Sequence, residues 1–168
     1  MRNQHRDQTR PRGSAKDRAL GLLAVRWRSR VELERRLRAA GFDAEEVGSA
    51  IEDLEGAGLV DDARFARELV ADRAGRRLAG DRAVRYALLA KGVPRDVAAQ
   101  AMEAAGDEAE RALSLARKRA VRLSPSEPEA AYRRLYALLL RRGFGSSVAR
   151  EACRQALREA LPEAEEPE

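Results

Sequence analysis

Leu135-Tyr136-Ala137-Leu138-Leu139-Leu140-Arg141-Arg142-Gly143-Phe144 decides the fold of this chain, because the same pattern stands twice before it. Leu33 and Leu37 lead to Gly41-Phe42, and Val84 and Leu88 lead to Gly92-Val93: apolar residues eight and four positions before each glycine, and another directly after it. Fifty-one residues separate Gly41 from Gly92, and fifty-one separate Gly92 from Gly143. Apolar residues at i and i+4 that end on glycine predict an amphipathic helix closed by a left-handed cap residue, a conformation glycine adopts at no steric cost. Three such helices in register predict an internal repeat. A period near fifty with helix-forming composition predicts stacked helical units, each burying its apolar face on a neighbour.

Composition agrees with helices. The 168 residues are 44% hydrophobic but only 4% aromatic, with 12 Gly and 6 Pro, so a core is available while the residues of strands and turns are scarce. Charged residues make up 36% and leave a net +5. That excess suits an anionic partner, and it equally suits the mixed charged surface of a soluble helical protein. A single cysteine, Cys153, cannot form an internal disulfide, and no apolar run approaches the ~20 residues needed to cross a membrane, so a cytoplasmic, monomeric protein without a membrane partner is expected. Residues 1–16 are basic and polar with no apolar stretch, and are expected to be a disordered arm rather than a signal peptide.

Breakers divide the remainder into repeat 1 over 17–58, repeat 2 over 59–106 and repeat 3 over 107–161, with a loose acidic tail at 162–168. In repeat 1, Asp17 to Arg26 carries Leu20, Leu23 and Ala24 on one face, Arg30 to Ala40 ends at Gly41, and Asp43 caps a helix to about Glu55. Repeat 2 opens with Asp61 or Asp62 as N-cap, breaks around Leu78 to Gly80, resumes as Asp81 to Lys91, and starts its third helix at Pro94, whose fixed φ suits a first helical position. Repeat 3 starts at Asp107, pauses from Ser124 to Pro128, runs Glu129 to Arg142, and closes with Ser146 to about Leu161. Nine helices without period-2 alternation predict an all-α fold, an elongated tandem array of three three-helix repeats.

The groups that carry most catalysis are absent. His5 is the only histidine and lies in the arm, so neither a Ser/His/Asp arrangement nor a histidine-built metal site can form. Asp61-Asp62 reads first as an N-cap with a helix-dipole partner. Gly143-Phe144-Gly145-Ser146-Ser147 lacks the preceding strand and the lysine of a phosphate-cradling loop and reads as a helix-to-helix turn. Cys153, among apolar helical positions, reads as a small core residue. No catalytic, cofactor-binding or metal-binding residue is expected, and the chain reads as a non-enzyme.

Charge distribution says more than charge sum. The middle helix of each repeat is basic: Arg30, Arg35, Arg36 and Arg38 in the first; Arg82, Arg85 and Lys91 in the second, with Arg76 and Arg77 upstream; Arg133, Arg134, Arg141 and Arg142 in the third. These residues are the candidate partner surface, an electropositive side suited to an anionic track; arginines on the solvent face of soluble helices are the competing explanation. A helix-turn-helix reading, which would put each third helix in the DNA major groove, fails for repeat 1, whose third helix carries Asp43, Glu45, Glu46, Glu52, Asp53 and Glu55 and no cation.

From about Ala19 to Leu157 the chain resembles the RecX family of regulatory proteins. The resemblance rests chiefly on Gly58-Leu59-Val60-Asp61-Asp62-Ala63-Arg64-Phe65-Ala66, similar to the family's leucine, two aspartates, then arginine-phenylalanine-alanine. Ser29-Arg30-Val31-Glu32-Leu33 leading to Leu37 and Gly41-Phe42, Leu88-Leu89-Ala90-Lys91-Gly92-Val93, and Leu138 to Phe144 support it. The chain departs from the family where many members carry a glycine-tyrosine-glycine-type turn, having Arg77-Leu78-Ala79-Gly80 instead. The resemblance implies tandem three-helix repeats that bind the recombinase RecA and modulate its nucleoprotein filament in recombination and DNA repair, most often suppressing ATP hydrolysis and strand exchange, without catalysis. Asp61, Asp62, Arg64 and Phe65 are the family-motif positions, with Gly41, Gly92 and Gly143 as the repeat glycines; capping and packing are their first expected roles. The alternative is a general nucleic-acid-binding helical protein. Sparse aromatics disfavour it, since base stacking needs exposed rings, for which Trp27, Tyr86, Tyr132 and Tyr136 remain candidates.

Overall fold

A computed structural model describes residues 13–123 and 127–160; the arm up to residue 12, the pause at 124–126 and the acidic tail lie outside the described residues. Among the described residues stand nine α-helices and no strand: α1 (Ala15–Val25), α2 (Arg30–Ala39), α3 (Ala44–Gly56), α4 (Asp62–Val70), α5 (Asp81–Ala90), α6 (Arg95–Met102), α7 (Glu108–Ala120), α8 (Pro128–Arg141) and α9 (Ser146–Ala160). The fold is all-α, as the periodicity predicts.

Side-chain oxygens start most of these helices. Ser29, Asp43 and Asp107 accept from amides of the first turn, Asp61 accepts from Arg64 N–H, and Pro128 begins α8 with its ring already at helical φ. Ser14 and Asp17 form a reciprocal capping box. Two amides that would otherwise lack partners are satisfied there, so α1 begins at Ala15 rather than Asp17, and residues 14–16 belong to a helix and its cap instead of the arm.

The three glycines end their helices in one geometry. Gly41, Gly92 and Gly143 have φ of +96°, +75° and +86°. The next residue's amide reaches back five positions, Phe42 to Leu37 O, Val93 to Leu88 O and Phe144 to Leu139 O, at 3.2–3.3 Å. This is the Schellman motif, in which the residue after glycine packs on the one four before it. The quoted sequence pattern is that contact written out, and all six apolar residues are buried.

The helices pack as two compact units, one comprising described residues up to Ala66 with Leu88–Ala98, the other Arg67–Ala87 with described residues from Ala99 on. In the first, α1, α2 and α3 close over Leu33, Leu37, Phe42, Val47, Ile51 and Leu54. In the second, α7, α8 and α9 close over Leu115, Leu135, Leu139, Phe144 and Cys153.

Each unit also contains the same junction between successive middle helices. In the first unit the turn that ends α5 sits on the start of α2: a Cβ added to Gly92 would lie 2.5 Å from Val31 Cβ, and Ser29 Oγ donates to Lys91 O. In the second, the turn that ends α8 sits on the start of α5: a Cβ on Gly143 would lie 2.4 Å from Ala83 Cβ, and Gly80 N–H donates to Arg142 O at 2.9 Å. A carboxylate from the first residue of the next repeat's first helix, α4 or α7, then caps each start. Asp62 accepts Arg30 N–H and Glu108 accepts Asp81 N–H, both at 2.8 Å.

α4 continues past Val70 as a π-helical turn, Ala71–Arg76, before the expected break. There Leu78 takes φ +49°, costly for a residue with a Cβ, and its side chain packs against the core of the second unit.

Candidate functional site

The family-motif segment lies at the α3–α4 turn. Asp61 caps α4, accepting Arg64 N–H at 2.9 Å, while Asp62 reaches away to the first amide of α2. Of the two candidate N-caps, Asp61 therefore fills the role. Burial pushes the Asp62 carboxyl above its ordinary range, against the pull of the Arg30 amide. Phe65 is buried. Arg64 is exposed, its guanidinium stacked 4.0 Å from the centre of the Trp27 ring.

At the start of α2 stands a charge cluster that the sequence reading passed over. Glu32 is 1% exposed and pairs with Arg26, with Arg28 at 2.9 Å, Lys91 at 3.5 Å and Arg36 at 3.6 Å. Burial pushes the Glu32 carboxyl up, but the hydrogen bond from Arg26 and the charges of Arg26, Lys91 and Arg28 outweigh it and hold it below the usual carboxylate range. Arg28, 6% exposed, is lowered by burial and by the neighbouring Arg26 charge, and also donates to Leu22 O. Part of the signal stands in the sequence: Arg36 follows Glu32 by four residues on one face of α2, whereas Arg28 precedes the Ser29 cap and reaches Glu32 from outside the helix. The second unit has its own buried cation. Arg111 pairs with Asp81 and donates to the carbonyls of Ala79, Ala105 and Gly106, tying the turn before α5 to the turn before α7.

The thirteen candidate cations fall into two groups. Arg30 pairs with Glu34 and Glu55, Lys91 and Arg36 with Glu32, Arg76 and Arg77 with Asp72, and Arg85 with Asp81. Arg142 donates to Arg77 O and Arg82 to Leu140 O. Arg30, Lys91 and Arg142 are half-buried, and several of the candidate cations hold turns and helix starts. Arg35, Arg38, Arg133, Arg134 and Arg141 are exposed and form no ion pair with another described residue.

Arg117, Glu159 and Cys153 are held by pairing and burial in the second unit. Arg117 grips Glu159 across α7 and α9 through two hydrogen bonds, which hold the carboxyl down to about 2. Burial pushes the Cys153 thiol up to about 11, leaving almost no thiolate near neutral pH. Among the described residues no His, Cys, Asp and Glu side chains gather in a group that could hold a metal ion, and no helix is long and apolar enough to cross a membrane. Tyr132 and Tyr136 stack on each other with centroids 5.9 Å apart, whereas Tyr86 is 75% exposed.

Three-helix units joined by one recurring junction define a tandem-repeat, all-α protein. Three family models match it in series: RecX, first three-helix domain, over residues 15–54; RecX, second three-helix domain, over 61–102; and RecX, third three-helix domain, over 106–153. The chain is 35% identical to the regulatory protein RecX of Chlorobaculum tepidum over 148 residues, 88% of this chain and 91% of that one. To the regulatory protein RecX of Corynebacterium efficiens it is 36% identical over 163 residues, 93% of this chain and 78% of that one. Its fold matches a crystal structure of RecX from Lactobacillus salivarius with TM-score 0.73 at 23% identity, covering 84% of this chain and 94% of that chain. A second crystal structure, of a regulatory protein RecX, matches with TM-score 0.69 at 26% identity, covering 84% and 70%. The chain belongs to the RecX family of regulatory proteins.

Proposed function

We propose that this protein binds the RecA recombinase and restrains its nucleoprotein filament, lowering ATP hydrolysis and strand exchange, without chemistry of its own. Membership of the RecX family across three successive domains carries this reading. The exposed arginines without an ion pair on α2 and α8 supply the surface for it: they meet an acidic partner without first breaking an internal contact, so little of the attraction is lost to rearrangement. Repeated weak contacts on one protein reinforce each other through effective concentration.

The test is the ATPase of RecA assembled on single-stranded DNA. Added protein should lower it at amounts well below one copy per DNA site, and alone should hydrolyse no ATP. Inhibition that appears only near saturation of the DNA and is relieved by excess single strand would replace this reading with the second one, general nucleic-acid binding. One observation favours that second reading: Tyr86 is exposed on α5 beside Arg82 and Arg85, the combination of ring and cations that holds a single strand.

A further inference from the structure

The apolar face of α1 enters the core only in part, through a half-buried Leu23. Leu20, Leu23 and Ala24 are the stripe that the sequence marks, yet α1 buries Ala15 and Ala19 instead, and Leu20 remains 39% exposed. The stripe forms, with Trp27 and Leu59, an open cleft of ≈ 350 Å³. Leu59 is anomalous by the protein's own standard. It follows Gly58, which ends α3 with φ +68° and the same five-residue reach from Leu59 N–H to Leu54 O. At that position after the other helix-ending glycines, Phe42, Val93 and Phe144 are buried, whereas Leu59 is 41% exposed and Val60 takes the core place. Asp61, Asp62 and Phe65 of the motif segment are accounted for by capping and packing. Leu59 and Arg64 are not.

Arg64 flanks the cleft through one of its lining residues, Trp27. Its guanidinium lies against the Trp27 ring, which orders it at the rim, and it forms no ion pair with another described residue. An aliphatic and aromatic cleft with one ordered cation at its edge is complementary to an apolar side chain with a carboxylate close by in sequence. It is poorly matched to a phosphate backbone, which would leave the leucines wet and find a single charge. We propose that this cleft is a docking site for an acidic-apolar peptide segment of a partner protein, seating a Leu or Phe side chain against Leu20, Leu23, Trp27 and Leu59 while an Asp or Glu pairs with Arg64. The inference stands independently of whether the middle-helix arginines touch RecA.

Trp27 is the only tryptophan in the chain, so its emission reports on the cleft directly. The full chain is titrated with a short synthetic peptide carrying a central Leu-Phe pair flanked by Asp and Glu, following Trp27 fluorescence and the anisotropy of labelled peptide. Two controls are the same pair flanked by Lys, and the acidic flanks around an Ala-Ala pair. The acidic-apolar peptide should shift the emission and bind at least about tenfold more tightly than either control, the margin expected for losing one charge contact or one apolar anchor. Arg64→Glu should weaken it by about tenfold and improve the lysine peptide, and Leu59→Asp should weaken it with far-UV circular dichroism unchanged. Equal binding of the lysine peptide, no binding of the acidic one, or binding indifferent to both substitutions would overturn the proposal. So would a Trp27 shift that follows self-association in sedimentation, because the occupant would then be a second copy of this chain.

Discussion

At the residue scale, two side-chain decisions test the structure sharply. Gly58 and Gly92 have similar positive φ, +68° and +75°, but a Cβ at Gly58 would meet open space and one at Gly92 would meet Val31 at 2.5 Å. Gly58→Ala should therefore cost only the left-handed backbone, about 1–2 kcal/mol. Gly92→Ala should cost about 1–3 kcal/mol more, because the Val31 contact is overpacked as well, and Gly92→Val more again. Urea denaturation midpoints give the comparison, and equal losses at the two glycines would show that α5 does not end against α2. Glu32 is the second. Glu32→Gln leaves buried Arg28 without its counter-charge and should cost about 3 kcal/mol at neutral pH. The folded carboxyl is held below its ordinary range, so its contribution is complete above the unfolded pKa of about 4.3 and is lost as pH falls toward the folded value. Urea curves for the two proteins should therefore converge on acidification from neutral pH to below about 4.

At the scale of elements, Leu37 of α2 and Leu139 of α8 occupy one place in the period and both are fully buried. Each should lose about 2–5 kcal/mol on truncation to Ala. Arg38→Ala, exposed and without an ion pair, should stay within about 0.5 kcal/mol. If thermal unfolding finds Leu37→Ala as mild as Arg38→Ala, the apolar stripe of α2 does not face the core. These helices were legible because the Schellman contact needs a fixed spacing of apolar residue, glycine and apolar residue, and sequence preserves spacing. The π turn at Ala71–Arg76 was not, since nothing there but Gly75 interrupts a helical composition and the widening depends on tertiary packing. Burial of Glu32 was missed because a charged residue one position before Leu33 reads as part of a solvent face; only its four cations, one of them Lys91 from the turn after α5, make the buried site tolerable. The sequence groups Leu20, Leu23 and Ala24 on one face of α1, but the residues that α1 buries are Ala15 and Ala19, because which side of a helix meets the core depends on neighbours that periodicity does not name. For the candidate surface, the i,i+4 pairs of Arg30, Arg36, Arg76 and Arg85 with Glu34, Glu32, Asp72 and Asp81 stand in the sequence, whereas the engagement of Lys91 with Glu32 and of Arg82 and Arg142 with backbone carbonyls depends on turns that the fold brings close.

At the scale of the whole molecule, the division between engaged and unengaged cations ranks the charge reversals. Arg133→Glu with Arg134→Glu touches no internal ion pair and should preserve helicity and midpoint while weakening association with RecA filaments, the deficit shrinking as salt rises. Arg82→Glu with Arg85→Glu should weaken association too, but with a loss of stability, since Arg85 leaves Asp81 and Arg82 leaves Leu140 O. Pull-downs across a salt series with nuclease treatment measure both; full-strength binding by both double variants would remove the arginine surface as the contact. The glycine junctions carry one more consequence. Val31 and Ala83 are the small seats on which Gly92 and Gly143 rest. A wider side chain at either seat, as in Ala83→Leu, would lift the glycine turn off its helix start, so the bulk of one residue governs each junction.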